Sequence, residues 1–318
     1  MIPSSALPRT VTVRAPAKIN CELRVGGLRR DGYHELSTVF MAVGLYDEVT
    51  VTRSPSWEVT TTGRYAALVP DGADNLALRA ARVLASTMKA EPIPVSIRID
   101  KEIPVAGGMA GGSADAAAAL LACDALWGLR CDREQLLELA ADVGSDVPFS
   151  LAGGIAVGSG RGERLAPVLA KGTFHWVFVV SSEGLSTPSV FAECDRLRAD
   201  ADADADADRP APGPSSAVMT ALRSGDPEAL GKALANDLQT AALSLRPALR
   251  TVLDAGVEFG ALGAIVSGSG PTIAFLTGSP EHALDLCVSL AASGVADEVT
   301  RAKGPVHGAH FIAVPSRV

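Results

Sequence analysis

Residues 104–121 read PVAGGMAGGSADAAAALL: four glycines fall in the six positions from Gly107 to Gly112, and an alanine-rich run follows without a break. A helix N-terminus presents unpaired N–H groups and partial positive charge, so a glycine loop in front of one is a ready cradle for an anion. Glycine also lets a phosphate reach the backbone without meeting Cβ atoms. Ser113 is placed to cap that helix, to bind a phosphate oxygen, or to ligate a metal carried by a nucleotide. Asp115 must point away from a phosphate or act through Mg2+. Two common nucleotide motifs are absent: SAD follows the glycines where GxxxxGK[ST] would need a lysine, and GGMAGG lacks the GxGxxG order. On this segment alone, a tight turn before a helix is the competing reading.

The flanking patterns place the loop. In PVSIRID (94–100) Val95, Ile97 and Ile99 alternate, so the order is strand, glycine loop, helix. Upstream, Leu76, Ala80, Val83 and Leu84 recur at helical spacing, which predicts a helix to about residue 89 with Asp74 or Asn75 as cap. In VTVRAPAKINCELRV (11–25) the apolar residues share one parity and Lys18 and Asn20 share the other, as in a strand pair or one bent strand. RRDGYHEL (29–36) carries an Asp-Gly turn between strands. Asp132 with Gln135 forms a capping-box start, and Gly144 stops that helix.

Further along, FHWVFVVSS (174–182) predicts a buried strand, and helical patterns occupy 216–258. GAIVSGSGPTIAFLT (263–277) predicts strand, glycine turn, strand; Leu284, Leu286, Val288 and Leu290 lie in a helix; HGAHFIAV (307–314) predicts a last strand. Strands and helices mix throughout, which favours an α+β chain of two lobes, divided near residue 166 into 1–165 and 166–318. The run ADADADADAD (199–208) sets five carboxylates in ten residues, and aspartate is a poor strand former. It lacks the glycine turn and bidentate glutamate of a calcium loop, so a disordered insertion near 199–214 is expected.

Bulk properties narrow the function. The 318 residues are 47% hydrophobic and 20% charged, an ordinary globular balance, and a net charge of −8 argues against nucleic acid or an anionic membrane as partner. A small-molecule ligand is the better default. The start lacks a basic region followed by an apolar run, and no segment offers eighteen uninterrupted apolar residues, so a cytoplasmic protein is expected. The five cysteines form no CxxC pair, which suits reduced thiols.

Three segments together resemble the GHMP kinase superfamily, small-molecule kinases that use PxGxGLGSS-type loops in place of a lysine-bearing phosphate loop. IPVAGGMAGGSADAA (103–117) is similar to the second motif, APAKINCEL (15–23) to the first and VSGSGPT (266–272) to the third. DGYHEL (31–36), DNL (74–76), GSDVPF (144–149) and TPSVF (187–191) extend the likeness to the branch whose acceptor alcohol carries a cytidine diphosphate. The resemblance implies a two-lobed fold of mixed sheets with helices and an active site in the cleft between lobes. It implies γ-phosphate transfer from ATP, with Mg2+ expected, by a monomer or weak homodimer.

By the same resemblance Asp146 is the catalytic aspartate and Lys18 the catalytic lysine. Asp146 also suits a helix N-cap, with Pro148 close behind. The ATP phosphates go to Gly107, Gly108, Gly111, Gly112 and Ser113, the adenosine side to Asn75 and Lys101, and Pro104 also belongs to the ATP site. Asn20, Tyr33, His34, Thr187 and Phe191 take the acceptor, where aromatic faces stack on a pyrimidine and His34 reads its polar edge. Met109, Ala110 and Ala114 depart from the commoner loop sequence, and no acidic residue is clearly placed as a metal ligand. Two alternatives stand beside this: a kinase of the same superfamily acting on mevalonate, phosphomevalonate or homoserine, and a nucleotide-binding regulator without turnover.

Overall fold

A computed structural model describes residues 8–70, 72–87, 93–181, 183–201 and 211–312. The alternating segment at the start is one bent strand, β1 (Thr10–Leu28), paired antiparallel with an equally long β2 (His34–Arg53) across the Asp-Gly turn. Register shifts after Pro16, Asn20 and Val25 bend the pair, so its two ends serve different parts of one sheet. β3 (Glu58–Thr62) and β4 (Val95–Asp100) extend it beside the first residues of β1 and the end of β2. β5 (Ile155–Gly160) and β6 (Arg164–Pro167) extend it at the other end of β2. From Ala15 to Leu23 residues of both parities are buried, because the strand is covered on both faces.

α1 (Leu76–Ser86) starts at Asn75, whose side-chain oxygen accepts from the N–H groups of Ala77 and Leu78. The cap expected at 74 or 75 is thus Asn75, and the helix stops at Ser86 before the expected residue 89; residues 88–92 lie outside the described ones. α2 (Gly111–Trp127) is the alanine-rich helix. It is apolar nearly all round and packs against β1 and β2 on one side and α1 on the other, which places it in the core. α3 (Arg133–Val143) opens with the Asp132–Gln135 capping box and ends at Gly144, and α4 (Val147–Ala152) follows at once.

The second sheet is antiparallel. β7 (Phe174–Val180) lies in its middle, beside β10 (Ile273–Thr277) and β11 (Glu298–Gly304), with β9 (Gly263–Val266) on the far side of β10. α5 (Thr187–Ala201), α6 (Ser216–Ser224), α7 (Pro227–Ala233), α8 (Gln239–Leu245), α9 (Ala248–Glu258) and α10 (Pro280–Ser293) supply the helices of this half. Two short strands return to the first sheet: β8 (Ala235–Asn236) runs parallel to β1 and β12 (His310–Phe311) antiparallel to it. Two larger cores result: one joins the first sheet and α1–α3 to one face of β7 and β10, and the other lies on the opposite face of β7 and β10 against the helices beside them.

Two expectations need correction. The Asp-Ala run does not begin as a loop: Ala199, Asp200 and Ala201 continue α5, and residues 202–210 lie outside the described residues. Alanine is the best helix former, so the first Ala-Asp repeat extends the helix before charge accumulates. The final strand spans only His310–Phe311, not the whole of HGAHFIAV, and residues 313–318 lie outside the described ones. The described cysteines are all free thiols, and no described helix is long and apolar enough to cross a membrane.

Candidate active site

A cleft of about 690 Å³ lies where the glycine loop, the middle of β1 and the start of α5 converge. It gathers Lys18, Asn20, Tyr33, His34, Pro104, Gly107, Gly108, Gly111, Gly112, Ser113, Asp146, Thr187 and Phe191 on one wall or another. Asn75 and Lys101 do not line it. Asn75 is committed to capping α1, and its amide nitrogen donates to the Pro70 carbonyl. Lys101 is buried behind the loop.

The glycine loop adopts a shape that few residue types accept. Gly108 has φ +75, and a Cβ there would stand 2.0 Å from the Ser267 carbonyl oxygen. Ala106 and Ala110 also hold positive φ, at 54 and 58, although they carry a Cβ, so the surroundings impose the conformation. Ala110, not Ser113, is the residue before the helix; Ser113 is the third residue inside α2, and its expected capping role is not used. The first α-helical bond at this end runs from Ala114 N–H to the Ala110 carbonyl, so the N–H groups of Gly111, Gly112 and Ser113 precede it and suit an anion. The SGSG turn clamps the loop from the other lobe: Ser267 Oγ donates to the Gly108 carbonyl (3.0 Å), and Thr272 N–H to that of Gly107 (3.3 Å).

Lys18 is held on β1 by its neighbours. Its ammonium donates to Asn20 Oδ1 (2.8 Å) and to the Gly108 carbonyl (3.0 Å), and it sits 5.7 Å from the Phe40 ring centroid. Asn20 is fixed in turn, its amide donating to Thr38 Oγ1 (2.7 Å), which donates to the Glu22 carbonyl (2.8 Å). Asp146 occupies the residue before α4 but makes no side-chain capping bond. One carboxylate oxygen instead lies 3.5 Å from Lys18 Nζ, with 32% of the side chain exposed to the cleft. The cap reading for Asp146 therefore gives way to a carboxylate that faces a cation across an open space.

The opposite end of the cleft is aromatic. His34 stacks on Phe191, with ring centroids 5.1 Å apart, and its Nε2 lies 2.9 Å from Asp195 Oδ1. Asp195 stands four residues after Phe191 on α5, so one helix face supplies both the stacking ring and the carboxylate that orients the imidazole. Tyr33 is half exposed and lies under the Arg161 guanidinium, 5.0 Å from its ring centroid. Thr187 shares a hydrogen bond with Ser269 of the SGSG turn (2.9 Å). Sequence reasoning missed Asp195 and Arg161; the i, i+4 spacing from Phe191 was the available signal for the first, and nothing local marked the second.

A smaller cavity of about 310 Å³ lies across Pro104–Ala106, lined also by Tyr65, Leu68, Val180 and Glu298. It shares Pro104 and Ala106 with the main cleft. Tyr65 OH donates to Glu298, whose carboxylate also pairs with Arg64 at 3.0 Å, joining the two sheets' halves beside it.

Comparison with known proteins agrees with this geometry. The models of the GHMP kinases N-terminal domain and of the GHMP kinases C-terminal domain match residues 75–154 and 218–296. A 4-diphosphocytidyl-2-C-methyl-D-erythritol kinase of Mycolicibacterium smegmatis is 55% identical over 96% of this chain and 94% of its own. One of Rhodococcus jostii is 54% identical over 97% of both. A crystal structure of 4-(cytidine 5'-diphospho)-2C-methyl-D-erythritol kinase superposes with a TM-score of 0.72 at 33% identity, covering 92% of this chain and 98% of that one.

Proposed function

We infer the function from family membership: the chain belongs to the GHMP kinases, and within them to the 4-diphosphocytidyl-2-C-methyl-D-erythritol kinases. It transfers the γ-phosphate of ATP to the 2-hydroxyl of 4-diphosphocytidyl-2-C-methyl-D-erythritol, a step of the non-mevalonate route to isoprenoid precursors. The observation that carries the reading is the Lys18–Asp146 pair facing the glycine loop across one cleft.

Phosphoryl transfer asks for positioning, charge neutralisation and an acceptor for the hydroxyl proton. We propose that the N–H groups of Gly111, Gly112 and Ser113 and the dipole of α2 hold the ATP phosphates. Asp146 takes the proton from the 2-hydroxyl, the oxygen attacks the γ-phosphorus, and ADP leaves. Lys18, with two of its donors fixed on Asn20 and Gly108, keeps its charge beside the oxygen as negative charge develops there. Tyr33, Phe191 and His34 take the cytosine, and Arg161 beside them offers its guanidinium to the diphosphate. Thr187 and Asn20 complete the acceptor's wall. The smaller cavity gives the nucleoside of ATP a place beside the loop, with Tyr65 and Leu68 as its apolar lining.

The fit of Mg2+ can be judged from the donors present. Among the described residues no cluster of three or more metal-ligating side chains occurs, and Asp115 turns away from the cleft into an ion pair with Lys101. Ser113 and Asp146 do line the cleft, which suits an ion carried in on the phosphates rather than one held in a protein cage. When bound, it neutralises charge on the β- and γ-phosphates. We assign residues 1–165 to the phosphate-loop lobe and 166–318 to the other, a boundary that falls within β6, with β8 and β12 returning to the first sheet.

The test is an ADP-release assay with ATP and each alcohol in turn. The cytidyl substrate should support turnover, and mevalonate and homoserine should not. ADP release with either of these but none with the cytidyl substrate would overturn the assignment.

A further inference from the structure

Behind the glycine loop lies a second lysine–carboxylate group that the reaction does not use. Lys101 follows β4 directly and is 1% exposed; its ammonium lies 2.5 Å from Asp47 Oδ2 and 2.8 Å from Asp115 Oδ2. Asp47 belongs to β2 and Asp115 to α2, so a single buried cation ties three elements together. The other oxygen of Asp47 accepts from two backbone donors, Glu102 N–H (2.7 Å) and Ile103 N–H (2.8 Å), the residues that lead into the loop. A Cβ placed on Gly111 would stand 2.8 Å from Lys101 Nζ, so the ammonium lies against the first residue of α2.

Such a group is a poor device for stability alone. Removing two carboxylates and an ammonium from water costs several kcal/mol per ion, and an apolar trio of similar volume often does as well. The cluster is also incompletely satisfied, because Oδ1 of Asp115 is buried with no hydrogen-bond partner. What an apolar trio lacks is direction: the Asp47 carboxylate, paired with Lys101, accepts from the N–H groups of residues 102 and 103 and so fixes the angle at which they enter the loop. That angle matters here because Ala106 and Ala110 hold positive φ, a conformation that costs about 1–3 kcal/mol per residue and persists only when its surroundings determine it.

We propose that Asp47, Lys101 and Asp115 are positioning residues of the kinase, which hold the entry of the glycine loop and the first turn of α2 in the one geometry that receives the ATP phosphates. The inference rests on the loop being the ATP phosphate site. Asp47 and Lys101 do not line the cleft, so their effect is exerted through the backbone of residues 102–103 and through the helix start. A positioning role predicts that ATP suffers and the acceptor does not, since His34 begins β2 with Tyr33 just before it, well ahead of Asp47, and Phe191 lies on α5.

The test compares Asp47→Asn with Ser113→Asp, which sets a carboxylate in the cleft itself. Both should raise the KM for ATP, Asp47→Asn by ~10- to 100-fold, the loss expected of a misplacement on the order of 1 Å, while the acceptor's KM changes less than about twofold, well short of that loss. A purely structural cluster would lower the unfolding temperature without moving the ratio of the two KM values. If Ser113→Asp raises the ATP KM and folded Asp47→Asn does not, the positioning role is overturned and the loop assignment survives. If neither changes it, the loop assignment fails and the inference with it. Should Asp47→Asn fail to accumulate as folded protein, Asp115→Asn decides by the same ratio, because the Oδ1 atom makes no bond to lose.

Discussion

Two lysines stand on either side of the glycine loop, and each faces aspartate. Lys18 and Asp146 are 3.5 Å apart with the carboxylate a third exposed; Lys101 lies 2.5 and 2.8 Å from two carboxylates that solvent does not reach. The open pair leaves the carboxylate free to accept a proton from something placed between the partners. The closed cluster has no such space, and its strength is spent on the backbone around it. On the proposed assignment, the same residue types do chemistry where a gap is left and mechanics where it is closed.

The contrast can be broken from either side. Asp146→Asn keeps shape and removes the proton acceptor, so turnover should fall by about 10²–10⁴-fold while ATP binding, measured by titration, stays nearly intact; unchanged turnover would take the base role away from Asp146. Lys101→Met leaves two buried carboxylates without their cation and should destabilise the fold by about 3–5 kcal/mol, seen as a lower denaturation midpoint. A midpoint equal to wild type would mean that water reaches the cluster. Tyr33→Ala removes a stacking face worth about 0.5–1.5 kcal/mol, so the cytidyl substrate's KM should rise by up to about tenfold and that of ATP should not.

The smallest effect is on pH dependence. Burial pushes Asp115 up, with Lys101 opposing the rise and Asp47 adding to it. Burial pulls Lys101 down, but Asp115 and Asp47 more than offset it, and its net shift is upward. An unfolded aspartate titrates at about 3.9, so in the window just above that value the folded cluster holds a proton that the unfolded chain has lost. The stability this proton contributes is fully present below the unfolded value and is lost as pH rises through the folded one. Asp115→Asn should therefore flatten the stability profile across that window, and an unaltered slope would place the titration elsewhere.

Much of this was legible in the sequence because it is local. The strand, glycine loop and helix around residue 107, the capping box at Asp132 and the Asp-Gly turn at residue 31 are each set by a few neighbouring residues. Lys18 and Asp146 were found through their motifs, and the structure brings them to one cleft. Asp47 had no local mark: in LYDEV it reads as one more polar strand position, and its importance comes from residues 101–103 and 115, far along the chain. Asn75 and Lys101 carried the opposite problem. Their motif suggested nucleotide contact, yet one side chain caps α1 and the other is enclosed by two carboxylates. Arg161 enters the site only because β5 pairs with β2 and carries the turn after it to Tyr33.

The central claim is that Lys18 acts on the reacting oxygen while Lys101 acts on the loop. Turnover of Lys18→Met at saturating ATP and saturating cytidyl substrate tests it most directly. The account predicts a loss of about 10²–10³-fold, with both substrates still bound in titrations. Turnover within about tenfold of wild type, short of what one such donor contributes, would contradict it.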